Sequence, residues 1–137
     1  MTHPLAPGIL SPAGVEFVTD RHLATLSTLT AEGAPHVVPV GFTVEVGAGP
    51  LVVRIITNGP SQKVLNVRRD GRVSVCQFEG ARWLTLSGTA HIEEEAPLVA
   101  DAVARYSQRY RPPRENPLRV AIVFEVEHAM GSAGLLA

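Results

Sequence analysis

Hydrophobic positions along the chain recur with two different periods, and most of them predict β-strands. Leu and Ala alternate with Thr and Ser over 23–29, and Val73 and Val75 alternate with other residues over 72–78. This period of two is typical of strands that bury one face. Residues 52–57 form a continuous, largely β-branched run, which indicates a buried strand. The predicted strands are 23–29, 35–44, 52–57, 72–78, 81–92 and 118–126.

Three other stretches predict helices. Ser11 precedes a proline at the first position of a short helix, which is a common N-terminal signal. Ser61 is placed to cap a second helix over 61–69. Apolar residues recur every 3.6 positions from Leu98 to Tyr110, and they predict a third, amphipathic helix that ends before two prolines.

The predicted elements follow the order helix, three strands, helix, two strands, helix, strand. Antiparallel strands in this number, joined by short turns, favour a closed or nearly closed barrel with its helices outside. We therefore predict one mainly β domain over residues 1–137. Residues 1–10 contain Pro4 and Pro7 and are expected to form an extended arm. Pro39 has no N–H to donate to a ladder, so its strand should be irregular or lie at a sheet edge.

The composition is that of a globular chain, and it argues against several classes of function. Of the 137 residues, 45% are hydrophobic and 18% are charged, and the net charge of -1 gives no reason to bind nucleic acid or an anionic membrane. No apolar run reaches the ~18 residues of a membrane-spanning helix. The N-terminus lacks the charged start of a signal peptide, and the single cysteine, Cys76, cannot form an intrachain disulfide. We expect a cytoplasmic protein, and the five histidines show no spacing that predicts a metal site.

Residues 52–66 combine a strand, a turn and a helix start, and this combination suggests an anion-binding site. The strand ends at Asn58, Gly59 and Pro60, which all favour turns, and the helix begins directly after them. The free N–H groups of a first helical turn and the helix dipole favour a phosphate. The side chains that could join them are Arg54, Thr57, Ser61 and Lys63. The alternative is an ordinary junction in which the lysine is solvated, the serine caps the helix and the arginine forms a cross-strand ion pair.

Short motifs spread in order over nearly the whole chain form a set that is more specific than any one of them. The first combination is Arg54-Ile55-Ile56-Thr57, then Ser61-Gln62-Lys63, then Asn66. The others are Arg21-His22-Leu23-Ala24, Pro35-His36-Val37-Val38, Val40-Gly41-Phe42, Gly80-Ala81-Arg82-Trp83-Leu84, and residues 105–114 and 131–136. The set resembles the split β-barrel flavin and deazaflavin oxidoreductases, which include the pyridoxamine 5′-phosphate oxidase-like proteins. It is most similar to an actinobacterial subgroup that uses coenzyme F420, and within it to the F420-dependent biliverdin reductases.

The resemblance implies an antiparallel split β-barrel that forms a homodimer with two cofactor sites at the subunit interface. The isoalloxazine-like ring would lie against the strand backbone over 38–40, and the phosphate would lie at Lys63. Residues of the partner subunit around Arg82 and Trp83 would close the pocket. The implied cofactor-binding residues are Val38, Pro39, Val40, Arg54, Thr57, Ser61, Gln62, Lys63, Asn66 and Trp83.

The chemistry that the resemblance implies is hydride transfer from reduced F420 to a conjugated small molecule such as biliverdin. The cofactor would carry this chemistry, so no catalytic acid, base or nucleophile is predicted. Two alternatives remain open: an FMN-dependent oxidase or reductase on the same barrel, and a non-enzymatic protein that binds a flavin or a tetrapyrrole. F420 and FMN share a ribityl phosphate, so a lysine site suits both.

A basic cluster near the third predicted helix is a second candidate feature. Its members are Arg105, Arg109, Arg111, Arg114 and Arg119. They could bind the carboxylates of the F420 tail or the propionates of a tetrapyrrole. The alternative is a set of helix-end charges and solvated loop arginines.

Overall fold

The computed structural model describes residues 9–137 as three helices and nine strands. In chain order they are α1 (Pro12–Thr19), β1 (Ala24–Leu29), β2 (Pro35–Val40), β3 (Thr43–Glu45), β4 (Val52–Asn58), α2 (Gln62–Arg69), β5 (Arg72–Glu79), β6 (Arg82–Thr89), β7 (His91–Glu93), α3 (Ala96–Arg109), β8 (Arg119–Glu125) and β9 (His128–Gly131). The three predicted helices are all present.

The strands form two antiparallel sheets that share one main hydrophobic core. One sheet has five strands in the order β2-β1-β5-β6-β9, and the other has four in the order β3-β4-β8-β7. Leu26, Val53 and Ile122, from both sheets, are fully buried in this core, and Val64 of α2 joins them. This is the mainly β architecture with peripheral helices that the sequence predicts.

Two predicted strands are each divided in the structure, because the chain crosses from one sheet to the other within them. The stretch 35–44 forms β2 in the five-stranded sheet and β3 in the four-stranded sheet, with Gly41 and Phe42 between. The stretch 81–92 forms β6 and β7 in the same way, with Ala90 between. Apolar residues alternate with the same period in both sheets, so the pattern does not reveal a crossing.

The five-stranded sheet has β2 and β9 at its edges. Pro39 lies in β2, so the predicted edge position of this proline is confirmed. The sequence does not predict β9, because its four residues are too few to establish an alternation.

Residues 9 and 10 belong to the folded domain. The predicted arm over 1–10 lies mostly outside the described residues, but Ile9 and Leu10 are buried. Leu10 forms a β-bridge with Leu136, and the Ile9 carbonyl accepts a hydrogen bond of 2.9 Å from the Ala137 N–H. These two residues are therefore not part of an arm, because the C-terminal segment pairs with them.

Candidate functional site

A groove lies between the end of β2, in the five-stranded sheet, and the end of β4, in the four-stranded sheet. β3 pairs with β4 from Glu45 to Thr43, but the chain before Thr43 leaves this sheet and pairs with β1 instead. The end of β2 with Gly41 (residues 39–41) and the edge of β4 over 56–58 consequently face each other without pairing, and both line a groove of about 300 Å³. Unpaired strand edges present free backbone N–H and C=O groups, which can bind the edge of a polar heterocycle.

Lys63 lies at the Asn58 end of this groove, on the first turn of α2. It is the only lysine of the chain, and it is half-buried among the groove residues. Burial lowers the pKa of Lys63, and no carboxylate oxygen of residues 9–137 lies within 4.0 Å of its ammonium group. An ammonium that is partly desolvated and lacks an acidic partner favours an anionic ligand.

Ser61 occupies the N-cap position of α2, as predicted, but its side chain does not cap the helix. Its Oγ is buried and has no hydrogen-bond partner among the described residues. The N–H groups of Gln62 and Lys63 also lack an acceptor in this part of the chain, as is usual for a first helical turn. Several donors at the start of α2 are thus available beside the ammonium group.

The opposite wall of the polar end is formed by the segment that leads into β8. Arg119 pairs in register with Asn58, and its guanidinium donates to the Arg114 carbonyl. Asn116 donates a side-chain hydrogen bond of 3.1 Å to the Asn58 side-chain oxygen. Arg119, Asn116, Asn58 and Thr57 all line the groove, so a second cation and three neutral polar groups join Lys63 there.

Tyr106 lines the other end of the groove, and Tyr110 packs beside it against Gly41. The rings of Tyr106 and Tyr110 on α3 and just beyond it lie 4.8 Å apart between centroids. A Cβ atom at Gly41 would lie 3.0 Å from Tyr106 Cε2 and 3.1 Å from Tyr110 Cε2, so only glycine lets the rings approach this closely. The Tyr110 hydroxyl donates to the His22 carbonyl at 2.6 Å and accepts from the Phe42 N–H at 3.2 Å. Burial raises the pKa of Tyr110, which keeps this hydroxyl protonated.

Six of the ten predicted cofactor residues do not line the groove: Ser61 lies at the adjoining helix start, and five others lie elsewhere. The Arg54 guanidinium donates a hydrogen bond of 2.8 Å to the Glu45 carboxylate and lies 3.8 Å from the Asp101 carboxylate. These contacts match the alternative interpretation, in which Arg54 forms a cross-strand ion pair. Asn66 is fully buried and donates to the Thr28 hydroxyl at 3.0 Å. Gln62 is exposed and donates to Asn66 Oδ1 at 2.9 Å.

The other two residues, Val38 and Trp83, lie in strands of the five-stranded sheet. Val38 is half-buried against the main core, whereas its neighbours Pro39 and Val40 line the groove. Trp83 lies on the outer face of that sheet beside Phe78, away from the groove of its own chain. Pro39, Val40, Thr57 and Lys63 are brought together at the groove, and Ser61 lies at the adjoining helix start.

The predicted basic cluster divides into groups with different surroundings. Arg109 is buried, and its guanidinium donates to the carbonyls of Asp20 and Phe42 and to the Gln77 side chain. Burial lowers its pKa, and its donors are occupied within the chain. Arg105 pairs with Asp101 at 3.0 Å. The prediction that these five arginines form one cluster is therefore wrong, because α3 and its following loop point them to different places.

The groove also contains residues that sequence reasoning does not assign to a site. The periodicity places Tyr106 on the apolar face of its helix, and it assigns no role to Asn116 or Pro113, yet all three line the groove. The sequence places Arg119 in the basic cluster only. The register between β4 and β8 brings Arg119 and Asn116 to Asn58, and a single sequence carries no signal for that register.

Two other kinds of site find no support in the part of the chain that the structure describes. Over residues 9–137, no helix is both long and apolar enough to cross a membrane. In the same range, no three His, Cys, Asp or Glu side chains stand close enough together to hold a metal ion.

The two antiparallel sheets, with a groove between β2 and β4, define a split β-barrel protein. Residues 10–131 match the family model described as pyridoxamine 5′-phosphate oxidase, and the chain belongs to this family. The match confirms the family that the sequence motifs resemble, and with it the predicted fold class.

Known proteins similar to this chain agree with that assignment. An F420H2-dependent biliverdin reductase of Mycobacterium tuberculosis (strain CDC 1551 / Oshkosh) is 47% identical over 127 residues, which cover 93% of this chain and 91% of the relative. A conserved hypothetical protein of Mycobacterium tuberculosis has a crystal structure with a TM-score of 0.74 and 23% identity, over 92% of this chain and 88% of that one. A structure described as an F420 reductase has a TM-score of 0.66 and 23% identity, over 85% and 94% of the two chains. The two solved structures share the fold.

Proposed function

We propose that this protein is an F420H2-dependent reductase that binds the cofactor in the groove and reduces the tetrapyrrole biliverdin. The observation that carries the proposal is Lys63, a half-buried ammonium without an acidic partner in the described chain, at the free N–H groups of α2. The relative that is 47% identical over 93% of the chain supports the choice of cofactor and substrate. A cytoplasmic location belongs to the same proposal.

The groove fits a cofactor that has a planar heterocycle and a phosphate. Lys63, Arg119 and Thr57 would hold the phosphate at the polar end, and the unpartnered Ser61 hydroxyl lies beside them. The unpaired strand edges over 39–41 and 56–58 would bind the polar edge of the ring system. The ring would then lie towards Gly41 and Tyr106, at the less polar end.

When bound, the reduced cofactor supplies a hydride, and the chain's own residues position the two reactants. Lys63 and Arg119 fix one end of the cofactor by charge. Gly41 and Tyr106 form a rigid wall at the other end, because Tyr110 packs against both and is hydrogen-bonded to backbone on two sides. The proton that accompanies the hydride comes from solvent in this proposal, and no side chain needs to act as nucleophile.

The test of this function is oxidation of F420H2 by biliverdin, followed by the absorbance of both compounds. We expect turnover with the wild-type chain and no comparable turnover when reduced FMN replaces F420H2. Turnover with FMN alone would instead support the flavin-dependent oxidase or reductase. If the chain binds either cofactor but reduces nothing, a non-enzymatic binding protein is the better account.

We also propose that two copies of the chain associate through the outer face of the five-stranded sheet. The register of the sheet places two rows of outward side chains across its centre. From β2 to β9, one row is Pro39, Thr25, Cys76, Thr85 and Met130, and the next is Val37, Ser27, Ser74, Ser87 and His128. Neither row contains Lys, Arg, Asp or Glu, and the exposed Trp83 and Phe78 lie on the same face. A sheet face whose two central rows carry no Lys, Arg, Asp or Glu favours a second copy of the chain as its partner.

The proposed dimer would place partner residues beside the groove, because Pro39 belongs to both the outer row and the groove lining. The predicted contribution of Trp83 from a partner subunit is consistent with this arrangement. Light scattering after size-exclusion chromatography tests it. We expect the wild type at twice the mass of one chain and Val37→Glu as a monomer, with Val46→Glu as a control that remains dimeric. Val37 and Val46 are similarly exposed, at 55% and 43%, but only Val37 lies on the face. A monomeric wild type would contradict the proposal.

A further inference from the structure

A second cavity, of about 410 Å³, lies beside the groove on the other side of Tyr106. It is lined by Arg21, His22 and Leu23 from the segment before β1, and by Tyr106, Tyr110 and Arg111 at the end of α3. Tyr106 lines both the groove and this cavity. A ligand that reaches from one to the other would therefore pass the tyrosine pair.

The two arginines of this cavity are available for a ligand. The guanidinium groups of Arg21 and Arg111 make no hydrogen bond and no ion pair with any residue in the described part of the chain. Arg21 also borders a smaller cavity that contains Asp20 and Glu79, but neither carboxylate approaches its guanidinium within 4.0 Å. His22, by contrast, is already engaged, with Nδ1 2.8 Å from the Leu23 carbonyl oxygen.

The remaining lining is suited to a flat, conjugated molecule. The tilted ring pair of Tyr106 and Tyr110 forms one side, and Leu23 is 58% exposed at the other. Aromatic and aliphatic surfaces that flank two unpaired guanidinium groups match a molecule with an apolar body and carboxylate substituents.

We propose that this cavity binds the carboxylates of the substrate, with Arg21 and Arg111 as their cationic ligands. The inference rests on the proposed function and adds the place where the substrate is recognised. In the antiparallel arrangement, Pro39 lies towards Asn58 and Lys63, and Gly41 lies towards the tyrosines and Leu23. The cavity thus adjoins the end of the groove assigned to the ring. The cofactor tail would extend from the phosphate, at the opposite end.

The experiment compares biliverdin with its dimethyl ester, which lacks the two free carboxylates. Each is titrated into the full chain in the presence of saturating oxidised F420, so that binding is measured without turnover. The variants are Arg21→Gln, Arg111→Gln and the double variant. Arg114→Gln is the matched control, because Arg114 lies in the same loop, is exposed and does not line the cavity.

We expect each single variant to raise the Kd of biliverdin by roughly tenfold, the ratio that corresponds to one lost charged contact of about 1.4 kcal/mol, and the double variant to raise it further. The Kd of the dimethyl ester should be the same in wild type and variants, and Arg114→Gln should change neither Kd. The inference is overturned if the wild type binds acid and ester equally, or if the variants weaken the ester as much as the acid. It is also overturned if they weaken F420 and leave biliverdin unchanged, since the arginines would then serve the cofactor tail. Failure of the proposed function would appear separately, as binding of biliverdin without oxidation of F420H2.

Discussion

The guanidinium of Arg109 donates a hydrogen bond of 2.8 Å to the side-chain oxygen of Gln77, and both residues are buried. Gln77 in turn donates to the Phe17 carbonyl at 2.6 Å, so the pair connects α3, β5 and α1. The guanidinium also lies 4.6 Å from the centre of the Phe42 ring. This network fixes the end of α3, and with it Tyr106, which lines the groove, and Tyr110, which packs against Tyr106.

Arg109→Leu should therefore destabilise the fold. The substitution removes the donor from two buried acceptors, the Phe42 carbonyl and the Gln77 side-chain oxygen, and from the partly buried Asp20 carbonyl. We therefore expect a loss of about 3–4 kcal/mol in the free energy of unfolding. Urea denaturation measures it. Arg105→Leu, one turn earlier on α3, removes a half-exposed ion pair with Asp101 and should cost less than about 1 kcal/mol. Equal losses in the two variants would contradict the assigned role of Arg109.

Gly41→Ala should disturb the wall of the groove. A methyl group there would lie 3.0 Å from Tyr106 Cε2, and Tyr110 cannot move away without breaking its two backbone hydrogen bonds. We expect a loss of about 1–2 kcal/mol in unfolding free energy, together with weaker F420 binding. Gly47→Ala is the control, because no atom lies within 4 Å of its Cβ position. A Gly41→Ala protein as stable as Gly47→Ala would show that the rings do not pack against this glycine.

Asn66→Ala should separate a structural role from a role in cofactor binding. Asn66 donates to the Thr28 hydroxyl, which joins α2 to β1 inside the protein, and it accepts from Gln62 within α2. Its removal should lower the unfolding free energy by about 1–3 kcal/mol and leave the Kd of F420 within about twofold of the wild type. Tenfold weaker F420 binding by a protein that unfolds at the wild-type urea concentration would instead assign Asn66 to the cofactor.

The pH dependence of F420 binding should report on Lys63. Burial lowers its pKa below the ordinary lysine value of 10.5, so the ammonium group loses its proton at a lower pH than a solvated lysine. Only the charged form attracts a phosphate, and the affinity should therefore fall as the pH rises through this lowered pKa. Lys63→Arg retains its charge throughout and should remove this decline. The same decline in Lys63→Arg would assign it to another group.

Local features of the site could be predicted from the sequence, whereas its long-range features could not. The strand–turn–helix junction that positions Lys63 depends on consecutive residues, and the structure contains this junction at the predicted positions. The crossing of the chain between sheets at Gly41 and Phe42, which opens the groove, leaves no local signature. Arg109 illustrates the same limit, because its partners Asp20, Phe42 and Gln77 are 32 to 89 residues away in sequence and decide that it is buried.

The most direct test of the central claim, that the groove binds F420 through Lys63, is a pair of titrations with F420 and with FMN. Quenching of Trp83, the only tryptophan, and direct equilibrium dialysis both measure the two Kd values. We predict that F420 binds more tightly than FMN, and that Lys63→Ala weakens F420 by about 1.5–3 kcal/mol, the range for a hydrogen bond to a charged group. Arg68→Ala, on the same helix but paired with Glu94 at 2.6 Å, should bind F420 as the wild type does. Tighter binding of FMN, or an unchanged F420 affinity in Lys63→Ala, would contradict the account.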